Sequence, residues 1–170
     1  MNPLRFAPLA LAGLFAAPAT ADHARLPSLA GPVILTVSGL NSAHYTDGTL
    51  QFDLNRLEAL GQSNIVTSSI WTSGPHVYTG VMLRTLTEFL RLDKSVLHLH
   101  ALNDYSIDLP LDEASMKGPI LATGMDGAEL SVRQKGPIWV VYPYDSDAGF
   151  LTDEVLARSV WQLDRIHVQP

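Results

Sequence analysis

Residues 95–102 (SVLHLHAL) alternate apolar and polar side chains almost without interruption, and residues 138–142 (IWVVY) are apolar throughout. Alternation sets one face of a strand against a core, and a continuous apolar run suits a strand covered on both faces. These two segments commit the chain to a sheet over a substantial core. Residues 33–38 (VILTVS) follow Gly31-Pro32 and read as a strand, residues 50–54 (LQFDL) alternate, and Asp47-Gly48 between them is a hairpin-turn signal. Asp53 reads as the N-cap of a helix whose apolar face is Leu54, Leu57 and Leu60 and which stops at Gly61. Residues 63–71 (SNIVTSSIW) are expected to form a strand, broken by Pro75. Residues 77–81 lead into Met82, Leu83, Leu86, Phe89 and Leu90, spaced as an amphipathic helix.

Further strands are expected at 107–109, stopped by Pro110, at 120–123 with a return at Glu129-Leu130 across the Asp126-Gly127 turn, and at 161–168 (WQLDRIHV). Residues 111–116 suggest one helical turn and 145–154 a loop, while 155–160 read equally as helix or extended chain. Many short strands with a few short helices and frequent turns make an α+β fold, with mixed or antiparallel β-sheets curling on themselves.

The first 21 residues read as a signal peptide. Arg5 supplies the positive start, residues 6–17 the apolar stretch, and Ala19-Thr20-Ala21 a small-x-small cleavage site, so Asp22 is expected to begin the mature protein. The apolar run is shorter than the ~20 residues that span a bilayer. Cleavage leaves 149 residues of the 170 (residues 22–170), enough for a single domain with its own core. The expected location is the periplasm. At 46% hydrophobic and 16% charged the chain is not of the disordered class, and a net charge of −6 argues against nucleic-acid binding. The chain has no cysteine, which removes thiol nucleophiles, thiolate metal sites and cysteine-held iron–sulfur clusters.

The second half carries an ordered set of motifs. Trp71-Thr-Ser-Gly-Pro is followed by Tyr78-Thr-Gly-Val-Met-Leu83, then residues 101–110 (ALNDYSIDLP), Ile120-Leu-Ala-Thr, Asp126-Gly127, residues 135–143 (KGPIWVVYP) and residues 158–163 (RSVWQL). Across residues 33–168 this order resembles the sulfite-oxidase-type molybdopterin-binding fold. Enzymes of that family hold molybdenum with a cysteine a few residues before the tryptophan that corresponds to Trp71. Here the corresponding stretch is Ile65-Val66-Thr67-Ser68-Ser69, with hydroxyls, which are poor ligands for a soft-donor metal site. A dense Lys/Arg cluster for the cofactor's phosphate is also missing. The chain resembles the cysteine-less periplasmic pterin-binding (PruR-like) branch. That resemblance implies a binding protein for a reduced pterin without molybdenum. It implies a ligand-dependent regulator whose partner is the periplasmic domain of an inner-membrane diguanylate cyclase or phosphodiesterase. The alternative is a molybdopterin-dependent oxidoreductase, or a subunit of one, lacking the usual cysteine ligand.

A pterin is a flat bicycle whose faces want aromatic walls and whose polar edge wants fixed donors and acceptors. Candidate walls are Trp71, Tyr105 and Tyr144, candidate carboxylates Asp104 and Asp145, and candidate donors Arg158, Ser146 and Ser159. Each has a plainer reading: Trp71 as core, Tyr105 as a turn residue, Arg158 as an ion pair with Asp153 or Glu154, and residues 145–147 as an ordinary loop. Trp139 and Trp161 fall within apolar alternation and read as core. His98 and His100 point the same way from one strand and read as a solvated face, while His44, His76 and His167 are isolated. No G-x-S-x-G elbow marks a serine hydrolase.

Overall fold

The computed structural model describes residues 26–92, 95–111 and 118–169. Among them ten strands form two sheets. They are β1 (Leu35–Ser38), β2 (Leu50–Phe52), β3 (Gln62–Thr67), β4 (His76–Met82), β5 (Val96–Ala101), β6 (Ser106–Pro110), β7 (Ile120–Met125), β8 (Ala128–Glu129), β9 (Trp139–Val141) and β10 (Leu163–Gln169). The first sheet runs β2-β1-β10-β5-β6. The second runs β3-β4-β7-β8, with β9 also paired to β7. Only β1 and β10 pair in parallel; the other pairings are antiparallel. The short helices are α1 (Leu54–Glu58), α2 (Leu83–Phe89) and α3 (Asp153–Arg158).

The alternation of β5 works as the sequence requires. Leu97, Leu99 and Ala101 are buried, while His98 and His100 lie half-buried on the opposite face. Leu35, Val37, Phe52, Leu109 and Ile166 share the inner face, and the fully buried β9 packs its three residues into the same core. Each fully buried Leu or Phe contributes about 2 kcal/mol of transfer free energy. Asp53 caps α1 as expected, accepting the Arg56 N–H at 2.8 Å. Its other oxygen accepts the Ala30 and Gly31 N–H groups at 2.6 and 2.8 Å, so one carboxylate starts the helix and pins the entering chain. These bonds, that from Ala30 foremost, hold its carboxyl below the usual carboxylate range.

The α+β architecture with mixed and antiparallel sheets is as expected, and the strands divide into two sheets. A strap joins them: the Val140 N–H donates to Val160 O at 2.8 Å, the Leu163 N–H to Ile138 O at 2.9 Å, and Trp139 bridges Trp161. Several expectations need correction. Residues 77–81 belong to β4, the inner strand between β3 and β7, and the helix begins only at Leu83. Gly80 permits this, since a Cβ there would stand 2.0 Å from the Leu121 carbonyl oxygen. Strand β3 stops at Thr67, short of Trp71, and α1 stops at Glu58, short of Gly61. The ambiguous 155–160 segment is helical to Arg158, with Thr152 as N-cap and Asp153 and Glu154 in its first turn. The expected signal peptide lies outside the described residues, as does the expected turn at 111–116 except for Leu111.

Candidate functional site

Past Thr67 the chain leaves β3 and turns across the end of the second sheet. The Ser69 and Thr72 hydroxyls hydrogen-bond at 2.7 Å, and Ser69 Oγ accepts the Trp71 N–H at 3.3 Å. This short brace presents the half-buried Trp71 edge-on to three other rings. Centroid distances are 5.8 Å to Trp161, 5.9 Å to Trp139 and 6.2 Å to Tyr144. Tyr78 adds a further edge contact to Trp139 at 5.4 Å. Such T-shaped pairs each add about 0.5–1.5 kcal/mol beyond burial.

A cavity of about 200 Å³ opens beside this cluster. Trp71 and Trp161 form aromatic wall, Leu156 and Val160 add apolar surface, and Tyr105 comes from the β5–β6 connection. The Tyr105 hydroxyl donates to Ala157 O at 3.0 Å, pinning the ring to the end of α3. Asn103 and Ser159 supply the polar part of the lining. Asn103 Oδ1 accepts the Tyr105 N–H at 3.2 Å, which directs its amide donors elsewhere. Among the described residues no acidic or basic side chain lines the cavity.

Of the residues singled out by sequence, Trp71, Tyr105 and Ser159 therefore meet at one cavity. Tyr144 stands behind Trp71, buried, its hydroxyl donating to Ser159 Oγ at 2.7 Å. Burial pushes the Tyr144 phenol up to about 12. The other four do not line the cavity. Asp104 is exposed in a left-handed turn conformation, 4.0 Å from the Arg165 guanidinium. Asp145 accepts the Ser68 N–H at 2.6 Å, and Ser146 Oγ donates to Pro143 O at 2.7 Å. Arg158 bonds Glu154 at 2.7 Å, the ion pair its plainer reading anticipated, and donates to the Asp108 carbonyl at 3.1 Å.

Sequence reasoning missed Trp161, which is half-buried and lines the cavity where a core position was expected; Trp139 is buried as expected. It also missed Lys135, whose ammonium sits 4.8 Å from the Trp161 ring centroid and 5.2 Å from that of Trp139. Two histidines read as isolated have partners. His76 pairs with Asp126 at 2.6 Å, and His167 bonds Ser38 at 3.0 Å and stacks on His98. His98 lies between Asp108 and Gln169, and those two hydrogen bonds, the one to Gln169 foremost, raise its pKa.

The stretch where the sulfite-oxidase-type enzymes carry their cysteine offers the hydroxyls of Thr67, Ser68 and Ser69, and two of them are engaged. Thr67 Oγ1 donates to Ser68 O and accepts the Asp145 N–H, both at 3.1 Å, and Ser69 is paired with Thr72. Among the described residues no three His, Asp or Glu side chains converge on a metal position. With no cysteine in the chain, this donor set does not fit a thiolate-anchored molybdenum.

Comparison with known proteins agrees with this architecture. The fold is similar to that of the sulfane dehydrogenase SoxCD from Paracoccus pantotrophus, with a TM-score of 0.58 at 16% identity, over 79% of this chain and 37% of that one. The chain thus spans well under half the length of that protein, and the likeness is one of fold. No curated protein matches the sequence. Residues 29–147 match the oxidoreductase molybdopterin binding domain, more than half of the chain, and the resemblance in motif order holds: the protein belongs to that family and has its sulfite-oxidase-type fold.

Proposed function

We propose that this chain is a periplasmic binding protein for a reduced pterin held without molybdenum, and that its loaded form regulates an inner-membrane diguanylate cyclase or phosphodiesterase. The observation that carries the reading is the pairing of an aromatic cavity with a metal-anchor stretch that has no thiol. Trp71, Trp161 and Tyr105 line the cavity with aromatic surface for a flat bicycle, and the Asn103 amide offers donors to its polar edge. The hydroxyls of Thr67 and Ser69 are already spent inside the protein. Membership of a molybdopterin-binding family supports a pterin-type ligand and leaves oxidoreductase chemistry as the competing reading.

Regulation requires the loaded and empty forms to bind the partner with different affinity, since equal affinity shifts nothing. Anaerobic isothermal titration with tetrahydrobiopterin tests the first half. Saturable heat at one ligand per chain is expected, and no heat at high micromolar ligand overturns it. Binding of the partner's periplasmic domain, measured with and without tetrahydrobiopterin, tests the second half; equal affinities overturn it.

A further inference from the structure

The single helical turn Tyr144–Ser146 that follows β9 reaches both walls of the cavity. Tyr144 donates its hydroxyl to Ser159 Oγ at 2.7 Å, and the Ser159 hydroxyl in turn donates to Val155 O at 2.9 Å. Ser159 stands two residues before Trp161. In the opposite direction, Asp145 makes a reciprocal pair with the end of β3. Its carboxylate accepts the Ser68 N–H at 2.6 Å, and its own N–H donates to the buried Thr67 hydroxyl at 3.1 Å. Ser68 stands three residues before Trp71. Ser146 closes the turn on itself, with both its N–H and its hydroxyl donating to Pro143 O, at 2.9 and 2.7 Å.

We infer that this turn is the positioning element of the cavity, with Asp145 fixing the Trp71 wall and Tyr144 the Trp161 wall. Two hydrogen bonds of opposite sense between the same two segments prevent sliding as well as separation, and the bond to the carboxylate is of the strong, charge-assisted kind. The Tyr144 ring adds steric support, since it also stands 6.2 Å from Trp71. The opening between Trp71 and Trp161 is then set by one turn of the protein's own chain, with no metal needed to organise the loop. Asp145 and Tyr144 act through the walls and are positioning residues. The inference concerns the protein without ligand and therefore goes beyond the pterin reading.

Amide hydrogen exchange by NMR on the ligand-free full chain tests it, using Asp145→Ala, Asp145→Asn and Tyr144→Phe. In Asp145→Ala the Ser68 amide is expected to exchange about tenfold faster or more, the scale of one lost bond to a charged group, while the β4–β7 ladder stays protected. The Trp71 indole resonance moves in the same variant. Asp145→Asn keeps a carbonyl oxygen for the Ser68 N–H and retains most of the protection, a rescue that general destabilisation would not give. Tyr144→Phe leaves Ser68 protected and speeds exchange at Ser159. Unchanged Ser68 exchange and Trp71 resonance in Asp145→Ala overturn the inference, as does an asparagine variant as loose as the alanine one. If the alanine variant fails to fold, Asp145→Leu, similar in shape but with no acceptor, replaces it: the same faster Ser68 exchange and shifted Trp71 resonance are expected, and no change in either overturns the inference. Wild-type protein that binds no tetrahydrobiopterin would sink the pterin reading alone, because these exchange rates are measured without ligand.

Discussion

Replacing Trp71 by alanine separates a cavity wall from a core residue. Trp71 makes three edge-on ring contacts at 5.8 to 6.2 Å, yet it is half-buried and lines the opening beside Trp161. At about 0.5–1.5 kcal/mol per aromatic pair, the three contacts alone are worth roughly 1.5–4.5 kcal/mol. Truncation of a fully buried Trp costs about 3–5 kcal/mol, which includes the cavity left behind. For Trp71 part of that second contribution is absent, because its outer side already faces open space. A loss of about 2 kcal/mol is therefore expected, or roughly 4–8 °C in Tm for a domain of this size. Trp139→Ala, at 1% exposure, should cost about 3–5 kcal/mol. Urea unfolding followed by circular dichroism measures both, and titration with tetrahydrobiopterin then ranks them by function. Trp71→Ala should keep the fold and lose binding. Equal stability losses at the two positions, or a Trp71 variant that binds normally, would refute the assignment of Trp71 as a wall.

The His98 contacts make part of the stability pH-dependent. Its folded pKa lies above the unfolded value, so the contribution is complete below the unfolded pKa of about 6.5 and fades as pH rises through the folded one. The stability difference between wild type and His98→Gln should thus be larger at about pH 5.5 than at about pH 8.5; a difference independent of pH counts against the imidazolium held between Asp108 and Gln169. Gly80→Ala places a Cβ 2.0 Å from Leu121 O and 2.8 Å from Ala122 Cα, forcing β4 from β7. Destabilisation of about 1–3 kcal/mol is expected in urea unfolding, and a neutral substitution would show that these strands separate without cost.

What the sequence made legible follows from which patterns are local. Asp53 before a leucine-spaced run gave the α1 cap, and the Asp47-Gly48 signal gave the β1–β2 hairpin, because both depend on a few neighbouring residues. Alternation in β5 gave the buried face correctly. The same logic misjudged Trp161. It alternates with apolar neighbours, but it lies on the strap between two sheets, where one side of the ring is left open. Residues 77–81 have no clean period, so nothing local marks them as strand β4; its central place depends on Gly80 meeting a strand some forty residues later. The His98–Asp108–Gln169 and Thr67–Asp145–Ser68 contacts join residues 10 to 78 positions apart, and spacing along the chain does not reveal them.

Native mass spectrometry of the intact protein, purified anaerobically from cells fed molybdate, weighs what the chain carries. An added mass equal to one reduced pterin per chain, with no molybdenum, is the expected spectrum. An added mass equal to a pterin bearing molybdenum, at one per chain, would contradict a cavity that keeps the ring and dispenses with the metal.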